Sequence, residues 1–305
     1  MITSIFSKSK PINLVIVGLF IVLVFVFTNY QVLFVDFGTT LKAISRLFLS
    51  VFFIFLLRFI IAKNKLAQSN GYAIMTFGLL IFMFPQVMKN SDLLLANAFI
   101  LFALRRLLSL HSNIDVKKKL FDAGFWIALA TLFYFWAILF FALVIVALIY
   151  HSQNDTKNVI APFVGVATLF ILLMVYNIFT YDVYIKPSNF GRYASLDFTA
   201  YNGKGNVLKL TVLFTALVWT LIYFFKTLPN KNKKLRPSYF LVAWSTVLAL
   251  LVAIIAPVKN GSEFIFLFAP FSIVMANYIE FITERWFKEV FIVLFIVTPL
   301  ISLLL

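Results

Sequence analysis

Long apolar segments, separated by short polar links, run through most of this 305-residue chain. Several approach the ~20 residues that an α-helix needs to cross the ~30 Å hydrocarbon core of a bilayer. Hydrophobic residues make up 63% of the chain and charged residues 12%, which lies outside the range of soluble domains. The segments do not alternate at period two, which argues against a β-barrel. We therefore predict an all-α, polytopic transmembrane bundle.

The basic residues predict the orientation of this bundle. The 26 Lys and Arg give a net charge of +15 and cluster in the short links, and basic links stay in the cytoplasm. Lys8 and Lys10 precede the first span, and the basic link 226–236 marks another cytoplasmic loop. We predict about eleven spans in a single integral membrane domain, 1–305, with a cytoplasmic N-terminus and a periplasmic C-terminus. The charge then reflects topology and contacts with membrane lipids, and we predict no nucleic-acid partner.

The apolar run 121–150 is too long for one untilted span and short for two. Basic or polar links flank it on both sides, and both links are assigned to the cytoplasm. The run is therefore predicted to cross and return as two short helices with a break at 134–136. A single long tilted helix is the alternative.

The longest polar interruption, 181–206, is assigned to the outer side. Its prolines and glycines cannot continue a helix exposed to lipid, because unpaired backbone groups are costly in hydrocarbon. Arg192 can grip a phosphate through two hydrogen bonds, and the ring of Tyr193 can stack on a sugar. These residues predict a site for a phosphorylated or sugar-bearing lipid. An interfacial belt of tyrosines is the alternative.

A second candidate site is the outer turn 259–263. Lys259 can position a phosphate, and Glu263 can serve in acid–base chemistry or bind substrate. The alternative is a helix start in which Ser262 is the N-cap and Glu263 lies in the first turn.

The sequence lacks the residues that several kinds of catalytic or metal site require. The chain has no cysteine and two histidines, which leaves no thiolate and too few ligands for a histidine metal cluster. Walker A, G-x-G-x-x-G and G-x-S-x-G sequences are missing. No acidic residue lies in the middle of an apolar span, which argues against an ion-coupled transporter. We therefore predict neither a cofactor nor a metal.

Three segments carry a resemblance: LLANAFILFALRRLLSL, KLFDAGFWIALATLFYFWAILF and KNGSEFIFLFAPFSIVMANYIEFITERWFKE. They resemble an uncharacterised family of flavobacterial (Bacteroidota) inner-membrane proteins, which implies the inner membrane of a Gram-negative cell. The chain is also faintly similar to the GT-C superfamily of membrane glycosyltransferases that use polyprenyl-phosphate sugars. By position, that similarity implies that Asp36 in the first outer loop is the catalytic carboxylate and that 181–206 covers the active site. The first outer loop here is much shorter than in that superfamily.

Two functions are consistent with these observations. The first is a glycosyltransferase acting on a polyprenyl-linked substrate at the outer leaflet, with Asp36 as general base, Arg192 or Lys259 as phosphate clamp and Tyr193 as stacking platform. The second is a non-enzymatic scaffold or accessory subunit of an envelope machine for secretion, motility or transport, which would bind other membrane proteins.

Overall fold

The computed structural model describes residues 2–33, 35–153, 155–185 and 193–305. These residues form α-helices joined by 3₁₀ turns and loops, and no strand occurs among them. The helices are α1 Ile2–Phe6, α2 Pro11–Asn29, α3 Phe37–Asn64, α4 Tyr72–Met83, α5 Ser91–Leu108, α6 Val116–Phe133, α7 Phe141–Tyr150, α8 Thr156–Tyr181, α9 Lys204–Thr227, α10 Arg236–Ile255, α11 Ile265–Phe281 and α12 Arg285–Ser302.

Seven helical segments among the described residues are long and apolar enough to cross a membrane. They correspond to α2, α3, α5, α8, α9, α10 and α11, some extended by an adjoining 3₁₀ turn. The predicted all-α class is confirmed. Seven is fewer than the predicted eleven because α4 and α7 are short, while α6 and α12 carry several charges. The span count of eleven and the orientation of the termini stay predictions.

The chain divides into two compact units. Unit 1 comprises Met1–Leu94, Asp197–Lys231 and Val258–Leu305, and unit 2 comprises Leu95–Leu196 and Asn232–Pro257.

In unit 1 the core is built around α4 and α11, which pack against each other. Every residue of α11 from Ile265 to Ile279 is buried. Phenylalanines fill the space between helices: the ring of Phe77 on α4 lies edge-on to Phe53 on α3 and to Phe268 on α11, with centroids 6.4 and 6.2 Å apart. Such edge-to-face pairs add to the stability gained from burial.

In unit 2 the helices α6 and α8 approach each other at two glycines. A Cβ atom on Gly124 would lie 2.2 Å from the carbonyl oxygen of Pro162, and one on Gly165 would lie 2.3 Å from that of Phe121. Only glycine permits such a contact, and small residues at helix interfaces are typical of membrane bundles.

The run 121–150 contains the predicted break. Helix α6 ends at Phe133, Tyr134 is extended, a 3₁₀ segment covers Phe135–Phe140, and α7 follows. The alternative of one long tilted helix is therefore wrong.

Candidate functional site

Two turns meet at one end of unit 1 and build a polar site. The first follows α4, where Pro85 lacks the backbone donor that a continuing α-helix would need, and a 3₁₀ turn covers Pro85–Lys89. Asn90 then caps α5: its Oδ1 accepts hydrogen bonds from the backbone N–H of Asp92 at 3.0 Å and of Leu93 at 3.2 Å. The turn is thus held in a defined shape by its own residues.

The second turn precedes α11. Gly261 has a φ of 91°, a conformation that favours glycine, and a Cβ atom there would lie 3.3 Å from the ring of Phe84, which directly precedes the first turn. Asn260 Oδ1 accepts hydrogen bonds from the backbone N–H of Ser262 at 3.0 Å and from its hydroxyl at 2.5 Å. The hydroxyl of Ser262 therefore donates within the turn. Ser262 is the first residue of a 3₁₀ turn whose N-cap is Gly261, so the prediction that Ser262 is an N-cap is wrong, whereas Glu263 lies in the first turn as predicted.

Glu263 is buried at the centre of the second turn, with 1% of its surface exposed. Its carboxylate accepts a hydrogen bond from the hydroxyl of Tyr201, and that hydroxyl accepts one from the backbone N–H of Gly261 at 3.0 Å. Burial, and then the neighbouring Glu263 charge, raise the pKa of Tyr201. The tyrosine therefore keeps its proton and donates a hydrogen bond to the carboxylate.

Two buried lysines lie over aromatic rings near this pair. The Nζ atom of Lys259 is 4.9 Å from the ring centroid of Phe198, and that of Lys209 on α9 is 5.7 Å from the ring of Phe84. Burial lowers the pKa of Lys259, and the charge of Glu263 opposes that change. Each ammonium is thus stabilised by a π face, an interaction worth about 0.5–2 kcal/mol.

A cavity of about 490 Å³ opens beside the two turns. Its volume falls within the ~300–1,000 Å³ usual for small-molecule sites. Its lining contains two lysines and one aspartate among amides and hydroxyls, which favours an anionic ligand. The lining residues are Lys42, Gln86, Lys89, Asn90, Ser91, Asp92, Asn260 and Ser262.

Arg46 adds a third cation next to this cavity. It lies about one helical turn after Lys42 on α3, and its Nη1 donates to the carbonyl oxygen of Lys89 at 2.7 Å. Within the described ranges, Arg46 Nε and Gln86 Oε1 are buried without a hydrogen-bond partner. An amide can be turned to present either its oxygen or its nitrogen. Both side chains can therefore still bind a ligand.

The structure brings together two of the predicted site residues, Lys259 and Glu263. Asp36 is exposed and caps α3, accepting a hydrogen bond from the backbone N–H of Thr39 at 2.8 Å. That bond lowers the pKa of Asp36. Tyr193 belongs to unit 2 and is 97% exposed. Arg192 lies outside the described residues.

Sequence reasoning missed Tyr201, Lys209 and the cavity. Tyr201 belongs to the polar interruption 181–206, where it is one tyrosine among several, and nothing in the local pattern distinguishes it as buried. Lys209 could have been found from the sequence, because a lysine inside an apolar segment usually belongs to a functional site. The cavity unites three separate parts of the chain, so no local motif marks it.

The fold and the site define a class: a helical membrane protein with a cationic polar site at one end of its core. Within that class the chain belongs to the Family of unknown function (DUF6427), whose family model matches residues 1–304. Comparisons with curated proteins and with solved structures found no significant match.

Proposed function

We propose that the protein binds the phosphate-bearing headgroup of a lipid in the cavity beside the two turns. The supporting observation is the placement of Lys42, Arg46 and Lys89 around it. Cations and amide donors together suit phosphate oxygens, which accept charge-assisted hydrogen bonds. Helices α3 and α5, which supply part of the lining, are long enough to span a membrane. A site at their ends lies where lipid headgroups are.

The proposed reaction is glycosyl transfer from a polyprenyl-phosphate sugar, as the GT-C similarity implies. The bond between the anomeric carbon and the phosphate oxygen breaks, and its electron pair leaves with the polyprenyl phosphate. The acceptor hydroxyl forms the new bond to the anomeric carbon and gives its proton to a carboxylate base. We place this cavity at the outer leaflet of the bacterial inner membrane, in agreement with the predicted topology.

Among the described residues that line the cavity, Asp92 is the acidic one, and we assign its carboxylate as the general base. Asp36, which the similarity implies, is the competing candidate. Glu263 holds Tyr201 and the turn in place. The roles of Arg192 in gripping phosphate and of Tyr193 in stacking on a sugar stay predictions from the sequence.

Binding can be tested with purified protein in neutral detergent, titrated with a short-chain polyprenyl phosphate and followed by native mass spectrometry. We expect Lys42→Gln and Lys89→Gln each to weaken binding about tenfold, because each removes a charge-assisted contact. The matched control is Lys63→Gln, an exposed lysine at the other end of α3, which should leave affinity within about twofold.

The enzymatic step is tested with Asp92→Asn, which should keep binding and abolish transfer of a labelled sugar. If neither lysine variant changes binding, the headgroup site is refuted. The scaffold or accessory-subunit function then becomes the better hypothesis.

A further inference from the structure

A second cavity lies at the opposite end of α3, where the sequence predicts the cytoplasm. Its volume is about 290 Å³. One side is apolar, and the other carries two cations, two hydroxyls and two amides. The lining residues are Ser9, Arg58, Ile61, Ala62, Lys65, Ala67, Gln68, Ser69, Asn70, Ala73 and Ile74.

Arg58 is the central group of this cavity. It lies six residues before the end of α3 at Asn64, which is about 9 Å along the helix axis. The side chain is partly buried, and within the described ranges it has no hydrogen-bond or ion-pair partner. A guanidinium with five donors is costly to hold at this depth without an acceptor.

The floor of the cavity is built by hydrogen bonds between separate segments. The backbone N–H of Ser9 donates to the carbonyl oxygen of Ser69 at 3.1 Å, which ties the N-terminal segment to the loop after α3. Glu280 accepts hydrogen bonds from the backbone N–H of Gln68 at 2.9 Å and from Asn70 Nδ2 at 2.6 Å. This carboxylate therefore anchors the loop and does not pair with Arg58.

Lys65 supplies the second cation. It ends α3 in the left-handed conformation, with a φ of 53°, and its backbone N–H donates to the carbonyl oxygen of Ile61. Its side chain is exposed. The cavity thus places two positive charges beside hydroxyl and amide groups.

We propose that this cavity binds an anionic phospholipid through its phosphate diester, with Arg58 and Lys65 as the charged contacts. Arg58 can grip two phosphate oxygens at once, as a planar guanidinium does. The apolar wall formed by Ile61, Ala62 and Ile74 suits the glycerol and the first methylenes of the acyl chains. That wall favours a lipid over free phosphate. The site is separate from the cavity of the proposed function and does not depend on it.

The experiment titrates purified protein in neutral detergent with phosphatidylglycerol, phosphatidylcholine or inorganic phosphate, and counts bound molecules by native mass spectrometry. We expect phosphatidylglycerol to bind at least tenfold more tightly than phosphatidylcholine. Arg58→Gln should weaken that binding about tenfold and Arg58→Lys about threefold, because lysine keeps the charge and loses the paired hydrogen bonds. Lys63→Gln, an exposed lysine outside the lining, should stay within about twofold.

A second measurement does not require Arg58 to be replaced. The chain has no cysteine, so Ala67→Cys introduces a single thiol into the cavity lining. Phosphatidylglycerol should slow its labelling by a thiol reagent, and labelling of Lys63→Cys should be unchanged. Equal binding of wild type and Arg58→Gln, together with unprotected labelling at position 67, would overturn the site. Displacement of the lipid by inorganic phosphate at equal concentration would overturn the assignment to a lipid.

Discussion

In helices α8 and α11, hydrophobicity and burial do not go together. The most apolar stretch of α8 is more hydrophobic than that of Ser262–Phe281, the segment that contains α11, yet only 17% of the former stretch is buried, against 89% of the latter. In water an apolar face is driven inside. Between lipid tails that force is absent, and association depends on close packing and polar contacts.

The buried helix α11 lies next to the candidate site. Helix α11 follows directly on the turn that holds Glu263, and it buries Ser272 and Asn277 along its length. Asn277 Nδ2 donates to the carbonyl oxygen of Leu66 at 2.8 Å, and its Oδ1 accepts from Lys231 at 3.0 Å. Helix α11 thus buries polar groups along its length, whereas α8 leaves most of its apolar surface exposed, as a helix in contact with lipid does.

The largest expected effect comes from truncating an aromatic side chain on each helix. Phe271 on α11 is fully buried, whereas Phe179 on α8 is 87% exposed. Phe271→Ala should cost about 3–5 kcal/mol, because it leaves a cavity, and Phe179→Ala should cost less than about 0.5 kcal/mol. Denaturant unfolding in detergent measures both. Equal losses would mean that α8 is covered by protein, and would favour the scaffold function.

The second prediction concerns the little surface that α8 does bury. Gly165→Ala should cost about 3 kcal/mol, since the new methyl group would meet backbone atoms of α6 and the helices must separate. The control is Gly18→Ala on α2, where the nearest atom would be Ile54 Cδ1 at 3.8 Å. That variant should be neutral or slightly stabilising, as alanine favours a helix over glycine. Equal melting temperatures for the two variants would show that the α6–α8 contact is not tight.

The third prediction tests His151, a half-buried side chain of unit 2. Burial, with smaller contributions from the charges of His111 and Lys119, lowers the pKa of His151 to about 4. The unfolded chain binds this proton below about pH 6.5, so stability should fall as the pH drops from 6.5 to 4 and then level off. After allowance for partial solvent screening, the loss is about 2 kcal/mol.

Unfolding free energies at pH 7 and pH 4.5 measure this loss. His151→Gln should remove this part of the pH dependence and leave the contribution of the carboxylates. An unchanged slope in that variant would show that His151 does not titrate in this range.

Much of this architecture could be predicted from local pattern alone. Apolar runs of bilayer length predicted the long helices, and the flanking charges predicted the break at Tyr134. A span over about 71–88 was predicted, but the early end of α4 at Met83 was not, because the apolar pattern continues past that residue and only Pro85 signals the change.

The site could be predicted only in part. The charged turn marked Lys259 and Glu263, because charges beside glycine in an outer link are conspicuous. Their partners Tyr201 and Phe198 lie about sixty residues away in sequence, and pairing over that distance depends on how the helices pack. The same limit applies to the cavity, whose lining joins α3 to both turns.

The smallest expected effect concerns the exposed carboxylate of Asp36, in contrast to the buried Glu263 before α11. Its visible role is to cap α3 through Thr39. Asp36→Ala should lower the melting temperature slightly, because one capping interaction is lost, and Asp36→Asn should leave it unchanged, because asparagine caps equally well. Sugar transfer should survive Asp36→Asn if Asp92 is the base. Loss of transfer at an unchanged melting temperature would instead assign proton transfer to Asp36, since that substitution keeps the cap and removes only the basic oxygen.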